Sequence, residues 1–464
     1  MLNLFVSLLI VLLIINNSFC NEEKYIITDF YSKYPYQNEK DYFYSNYTSN
    51  YLYTKIKLGS NEQNVEMKID LNLYEVYIVQ EDIVNKKLYV PFNASSSTTF
   101  NSSKRFYSQK GDFSKAILTK DTLVVNDGNN NIKVNDFYFA YVDDGYNKFA
   151  GSIGFNLLKT NLYPEESMNF IDQLKNYNII SGYSLTIKFN DKYKGQFYIG
   201  PDIEEINPSI IKDYKMQSVK ASGMGFIKDG KWELDSNRVI VGESELVYSK
   251  KIRFDFKFDF IIGTDEFSEF ISQNFFSTLF GTEKCVKEEL SSFKYYLGIK
   301  CQKSVNVENF PDLIFDLSTD YEKFNLVMDY KDLFEEKGDY KYFKVIITSN
   351  EISTIKINEE WIFGKEFFRS HIITFNKDRK DINIYYKEKT KKEVDTDTDM
   401  NKDSDKKGSN KNKIILYILI SILFIMASII AYLLITCIKL GKIIKKKSRL
   451  NILEDELTND DNIN

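Results

Sequence analysis

Between residues 51 and 386, apolar and polar residues alternate in short runs that are rich in Val, Ile, Tyr and Phe. Clear examples are residues 53–58, 65–69 and 184–189, and clusters of Asn, Asp, Gly and Ser separate the runs. Alternation with a period of two places every second side chain against a core, as in half-buried strands. The pattern therefore predicts a mostly β region.

Helical spacing is rare in this region. The best candidates are residues 167–177 in the first half and residues 265–280 in the second. We therefore predict few helices.

Two uninterrupted apolar runs lie outside this region. The run at 2–15 is followed by the small residues Ser18 and Cys20, which predicts a signal peptide over residues 1–20. The run at 414–438 would be a helix of about 37 Å, long enough to cross a hydrocarbon core of ~30 Å with some tilt. We predict one membrane helix there.

The segments beside the membrane helix are polar. Residues 387–413 are dense in Lys, Asp, Thr and Ser and lack bulky apolar side chains, so they predict a flexible stalk. Lysines follow the apolar run from Lys439 onward and fit a cytosolic tail at 439–464. With a signal peptide, this order predicts a single-pass type I protein with a lumenal or extracellular ectodomain, in the secretory pathway or at the plasma membrane.

Composition narrows the chemistry. The chain has 464 residues, which suits two large lobes, and its net charge of −5 does not indicate a nucleic-acid partner. It has one histidine, His371, which lies in an apolar run that reads as a strand, so we expect a structural role. Sites built on several histidines are excluded, and we expect no metal and no cofactor.

The cysteines agree with this topology. Cys20 falls in the signal peptide and Cys437 in the membrane helix, which leaves Cys285 and Cys301 as the only pair in the ectodomain. In an oxidising compartment we expect these two to form a disulfide. Glycosylation sequons begin at three positions: Asn46, Asn93 and Asn101.

Two short patterns occur once in each half of the β region. An apolar–Asp–apolar–polar–apolar pattern occurs at 69–73 and at 254–258. An apolar stretch that closes on glycine follows, at 152–154 and at 362–364. The shared order and spacing predict two related halves.

From about Tyr51 to Tyr386 the chain resembles the pepsin-like aspartic proteases, in particular membrane-anchored, plasmepsin-like members. The segments that carry the resemblance are 53–59 with Gln63 and Asp70, the Ser-rich stretch 95–100, 106–107 with 118–122, 197–200, 361–369, and the Cys285–Cys301 pair. The resemblance implies a bilobal fold with a central cleft. Its lobes would be residues 51–205 and 206–386, after an N-terminal extension at 21–50.

The resemblance also implies an active site. Asp70 and Asp255 would face each other and share one proton, so that one activates a water and the other polarises the scissile carbonyl. Tyr107 would be the flap tyrosine. The implied function is a membrane-anchored aspartic endopeptidase that acts on polypeptides as a monomer.

Both active-site loops depart from the Asp-Thr-Gly pattern of that family. Leu71 and Phe256 replace threonine, and Asn72 and Lys257 replace glycine. The missing hydroxyls and a nearby lysine charge would weaken or abolish activity. Two functions therefore stay open: a peptidase with weakened or lost activity, and a non-catalytic pseudoprotease that binds a peptide or protein ligand in the cleft.

Overall fold

A computed structural model of the chain describes residues 23–32, 51–84, 86, 89–107, 116–126, 130–142, 149–156, 168–222, 231–246, 250–290, 293–318, 324–349 and 359–387. Met1–Lys389 forms one compact unit by itself. The predicted signal peptide, stalk, membrane helix and cytosolic tail lie outside the described residues. Among the residues that are described, no helix combines the length and the apolar character needed to cross a bilayer.

The predicted mostly β fold is confirmed. The strands of the first half of the described chain are β1 (Ile26–Ser32), β2 (Leu52–Leu58), β3 (Gln63–Asp70), β4 (Val76–Val79), β5 (Asn101–Tyr107), β6 (Ala116–Asn126), β7 (Asn131–Val142), β8 (Gly151–Gly154), β9 (Ser184–Phe189) and β10 (Lys194–Gly200).

The second half continues the series. Its strands are β11 (Lys215–Lys220), β12 (Glu233–Ser236), β13 (Arg238–Val241), β14 (Ser244–Leu246), β15 (Lys250–Phe254), β16 (Ile261–Ile262), β17 (Cys285–Leu290), β18 (Phe293–Gln302), β19 (Leu313–Asp316), β20 (Asn325–Met328), β21 (Phe334–Lys337), β22 (Tyr340–Thr348), β23 (Trp361–Phe363), β24 (Ile372–Asn376) and β25 (Asp381–Tyr386).

Helices are short and few in the described part of the chain. They are α1 (Phe170–Asn176), α2 (Ile203–Ile206), α3 (Asp265–Asn274), α4 (Ser277–Gly281), α5 (Tyr330–Leu333) and α6 (Lys365–Ser370). The side chain of Asn169 accepts the Asp172 N–H at the start of α1, and the Thr264 hydroxyl accepts the Phe267 N–H at the start of α3. Both predicted helical segments are therefore helical, the second as α3 followed by α4.

Within the described ranges, the largest sheet has 13 strands in the order β11-β25-β24-β9-β10-β1-β2-β3-β8-β4-β7-β6-β5. Strands from both ends of the chain meet in it, because β24 pairs antiparallel with β9 and places Ile373 opposite Ile187. The strand β1 lies in the segment that we described only as an N-terminal extension. It pairs with β10 along most of its length.

The second half contributes two more sheets to the described structure. One follows the order β12-β15-β23-β16-β22-β18-β17, with β21 beside β22, and the other follows β14-β13-β19-β20. The predicted disulfide is present and joins Cys285 of β17 to Cys301 of β18. It links neighbouring strands at the outer end of the larger of these sheets.

The repeated sequence patterns form equivalent strand arrangements. In the first half, β3 is parallel to β8, with Asp70 opposite Gly154, and β8 is antiparallel to β4. In the second half, β15 is parallel to β23, with Phe254 opposite Phe363, and β23 is antiparallel to β16. The two halves share this strand arrangement, which positions Asp70 and Asp255 at the ends of equivalent strands.

Candidate functional site: two carboxylates held by basic residues

Asp70 ends β3 and begins a short loop. Its backbone carbonyl accepts the Phe155 N–H at 2.9 Å, and its Oδ1 accepts the Asn72 N–H at 2.9 Å. The loop passes directly over Gly154, where an added Cβ would lie 2.4 Å from the Leu73 carbonyl oxygen. Glycine is required there because the loop backbone occupies the space of a side chain.

Asp255 has the same local arrangement in the second half. It follows β15, its N–H donates to the Phe363 carbonyl at 3.1 Å, and its Oδ1 accepts the Lys257 N–H at 2.9 Å. The glycine beneath this loop is Gly364, where a Cβ would lie 2.4 Å from the Phe258 carbonyl oxygen. Each carboxylate is therefore fixed by a backbone N–H two residues further along.

The loops achieve this without the glycine that we expected to be needed after each aspartate. Neither Asn72 nor Lys257 is among the described residues that adopt a left-handed backbone conformation. Leu71 and Phe256 are almost completely buried and replace a threonine hydroxyl with core packing. Apolar contacts, rather than hydroxyl hydrogen bonds, hold these loops.

A basic side chain precedes each aspartate by two residues. Lys68 Nζ lies 3.0 Å from Asp70 Oδ2, and Arg253 Nη1 lies 3.5 Å from Asp255 Oδ2. Residues two apart in a strand point to the same face, so the strand itself brings cation and carboxylate together. We did not predict these pairs, although a basic–apolar–Asp pattern is visible in both halves of the sequence.

The lysine is the more deeply buried of the two cations. Its side chain is 5% exposed and its Nζ lies 4.5 Å from the ring centre of Tyr51. Burial opposes the charge, but the attraction of Asp70 together with that of Tyr77 and Tyr51 outweighs it, and the pKa of Lys68 is raised above its ordinary value. Lys68 is therefore a permanent cation beside Asp70.

Opposing effects also act on the pKa of the second carboxylate, Asp255. Burial raises the pKa of Asp255 above its ordinary value; the guanidinium of Arg253 counteracts only part of that rise, and the charge of Asp70 adds to it. Lys257, which we expected to control this ionisation, is a smaller influence on the pKa than Arg253.

A buried charge network supports the second loop. Lys365 is completely buried, its Nζ donates to the Phe256 carbonyl at 3.2 Å, and it lies 3.3 Å from Asp259. Burial lowers its pKa to about 8. Arg369 joins Asp259 to Glu366, at 3.1 and 2.8 Å. These contacts hold the loop that follows Asp255 in place.

Other predicted residues have ordinary surroundings. His371 is buried, its ring stacks on Phe367 with 4.5 Å between ring centres, and its Nδ1 lies 3.1 Å from the Phe367 carbonyl oxygen, which fits the expected structural role. The backbone of Tyr107 ends β5 opposite Ala116, and its side chain lies outside the description, so its flap role stays a prediction. No group of three or more metal-ligating side chains occurs among the described residues.

Of the predicted sequons, two lie in the described structure. Asn101 is exposed at the start of β5, and Asn93 is partly exposed and accepts a hydrogen bond from the Ser95 hydroxyl. Asn46 lies outside the described residues.

Two of the solved structures that resemble this chain are 7S globulins. One is the basic 7S globulin from soybean, with a TM-score of 0.55 and 11% identity over 78% of this chain and 95% of that one. Another is conglutin gamma from lupine seeds, with a TM-score of 0.56, 10% identity and the same coverage. At this identity the likeness is one of fold. No protein-family model and no curated protein matches the chain.

These comparisons overturn the predicted family and activity. The structural neighbours are seed globulins rather than pepsin-like aspartic proteases, so the prediction of an aspartic endopeptidase is wrong. The neighbours give no specific support to a pseudoprotease that binds ligands in the cleft either. The resemblance rested on short segments, and neither loop has the threonine and glycine of that family; Leu71 and Phe256 are buried in the core instead. Of the protein chemistry that we expected, the Cys285–Cys301 disulfide is confirmed.

Proposed function

We propose that this chain is a non-catalytic, membrane-anchored ectodomain in which Asp70 and Asp255 have a structural role. Its two halves would form two lobes, with a groove between them near Asp70 and Asp255, on a single C-terminal membrane helix. In this proposal the carboxylates hold the ends of β3 and β15 in place.

The observation that carries the proposal is the ion pair at each aspartate, Lys68 with Asp70 and Arg253 with Asp255. Each carboxylate is also held by the backbone N–H two residues further along, from Asn72 and from Lys257. Both aspartates therefore have partners that fix the ends of their strands.

The disulfide supports the expected location. Disulfides persist in oxidising compartments, and Cys285 and Cys301 form one here. This agrees with a lumenal or extracellular ectodomain. The orientation can be tested by glycosidase treatment of the full chain expressed in cells. A mobility shift that is lost in Asn93→Gln/Asn101→Gln supports a lumenal ectodomain, and full sensitivity of the ectodomain to protease in intact microsomes contradicts it.

The catalytic question has a direct test. The unit that ends at Lys389 is incubated with a mixed peptide library from pH 3.5 to 7, beside Asp70→Asn and Asp255→Asn. We expect no cleavage above the background of either variant. Cleavage by the unaltered protein that both substitutions abolish would overturn the proposal.

A further inference from the structure

A gap opens in the large sheet where β1 and β2 diverge. The two strands pair only at residues 30–32 of β1, with Phe30 opposite Thr54. Beyond that point β2 changes partner and pairs with β6, with Lys57 opposite Val124. The first residues of β1 remain paired with β10, so an opening is left between β1, β2 and β6.

The opening leads into a cavity of about 230 Å³. Six apolar side chains, each at most 3% exposed, line its inner part: Ile69, Ile153, Phe155, Phe170, Phe197 and Ile199. An apolar cavity does not hold ordered water, because water there would lack polar partners. A fold that keeps such a space loses stability through missing contacts, which a ligand would restore.

The outer part of the cavity is polar. Thr28 and Asn126 belong to it, and the Thr28 hydroxyl lies 2.9 Å from the hydroxyl of Thr54. The ionisable residues on the cavity wall are both lysines, Lys55, which is exposed, and Lys57, whose Nζ lies 3.6 Å from a Glu62 carboxylate oxygen. The site therefore offers an apolar interior and a mouth with positive charge.

We propose that this cavity binds a small single-chain amphiphile with an anionic head, such as a medium-chain carboxylate. The chain would lie among the phenylalanines, and the head would lie at the mouth near Lys55 and Lys57. The volume equals that of roughly eight water molecules, which fits a chain of about eight carbon atoms. The inference is independent of whether the two aspartates react.

The fluorescence of a tryptophan beside the cavity can report ligand binding. The indole N–H of Trp232 donates to the carbonyl of Phe155 at 2.8 Å, and Phe155 lines the cavity. The sequence contains two tryptophans, and Trp361 lies in β23 of the other half. A ligand that moves Phe155 therefore changes the emission of Trp232.

The test is a titration of the unit Met1–Lys389 with octanoate, followed by calorimetry and tryptophan emission, beside the neutral analogue octanol. We expect saturable binding of octanoate with a change in emission, and weaker binding of octanol. Val124→Phe, which adds a ring to the cavity wall, should abolish binding, whereas Val286→Phe, on an exposed strand position, should not. Ile26→Phe replaces Val124→Phe if circular dichroism shows that the latter does not fold.

A second pair of variants tests how much the lysine charges at the cavity mouth contribute to octanoate binding. Lys55→Glu/Lys57→Glu should weaken octanoate binding by about tenfold and leave octanol binding unchanged. Lys287→Glu, which reverses a lysine 5.2 Å from a phenylalanine ring in the other half, should leave both unchanged. No saturable octanoate binding, or binding that survives in the folded cavity-filling variant, would overturn the site. Equal binding of octanol and octanoate would overturn the anionic head.

Discussion

Replacing Lys68 by methionine tests whether the first aspartate is a structural carboxylate. The substitution keeps the apolar stem of the side chain and removes the charge that lies 3.0 Å from Asp70 Oδ2. Removing one partner of a fully buried ion pair costs about 3–5 kcal/mol, because the other charge is left without compensation. Asp70 keeps 20% of its side chain exposed and retains the Asn72 N–H, so we expect the lower end, about 3 kcal/mol.

The assay is urea unfolding of the unit Met1–Lys389 at pH 7, with the free energy of unfolding extrapolated to water. The cycle contains Lys68→Met, Asp70→Asn and the double variant. Asp70→Asn in the Lys68→Met background should cost less than it does alone, with a coupling energy of about 1–3 kcal/mol. Lys303→Met is the control, because Lys303 and its partner Glu336 are both about half exposed. This substitution should leave the unfolding midpoint unchanged.

The outcome that contradicts the reasoning is additivity. If Lys68→Met costs no more than Lys303→Met and the two changes in the cycle add independently, the buried pair does not exist in solution. The structural role assigned to Asp70 would then be lost as well.

Three further predictions concern other parts of the molecule. Burial raises the pKa of Glu66 from 4.5 to about 7, so its protonated form stabilises the fold below pH 4.5 and this contribution is lost as pH rises through 7. Glu66→Gln should therefore gain stability relative to the unaltered protein between pH 5 and 8 in urea titrations, and a constant difference would refute the shift. Removing the Cys285–Cys301 disulfide by serine substitution should cost about 3 kcal/mol by the same assay, since it closes a loop of 16 residues, and an unchanged midpoint would contradict this. Gly154→Ala should cost more than about 2 kcal/mol, because its Cβ would lie 2.4 Å from a backbone carbonyl oxygen, whereas Gly281→Ala, whose Cβ meets nothing within 4 Å, should not; equal effects would refute the steric argument.

Strand positions could be predicted well because alternation is a local property. The run at 184–189 is the strand β9 (Ser184–Phe189), and the run at 65–69 lies within β3 (Gln63–Asp70). The strand β1 was missed since only Ile26 and Phe30 show the alternation clearly in a short segment. Its place between β10 and β2 depends on partners more than twenty residues away in sequence.

The repeated patterns pointed to the strand ends that carry Asp70 and Asp255, and the basic partners of these aspartates were missed. We weighed the residues after each aspartate and overlooked Lys68 and Arg253 before them, although strand geometry places residues two apart on one face. A family resemblance of short segments therefore carried an expectation of catalysis that the comparisons with solved structures contradict.

The sequence by itself determined the local order of this protein: where strands run, which two cysteines can pair in the ectodomain, and which segments repeat. Those properties follow from side-chain periodicity and from residue counts, which involve near neighbours only. Tertiary structure alone decided how deeply Lys68 is buried, which loop lies over Gly154, and where β1 separates from β2 to leave a cavity. Each of these depends on the packing of distant strands, because burial and enclosed volume are set by what lies across the sheet rather than along the chain.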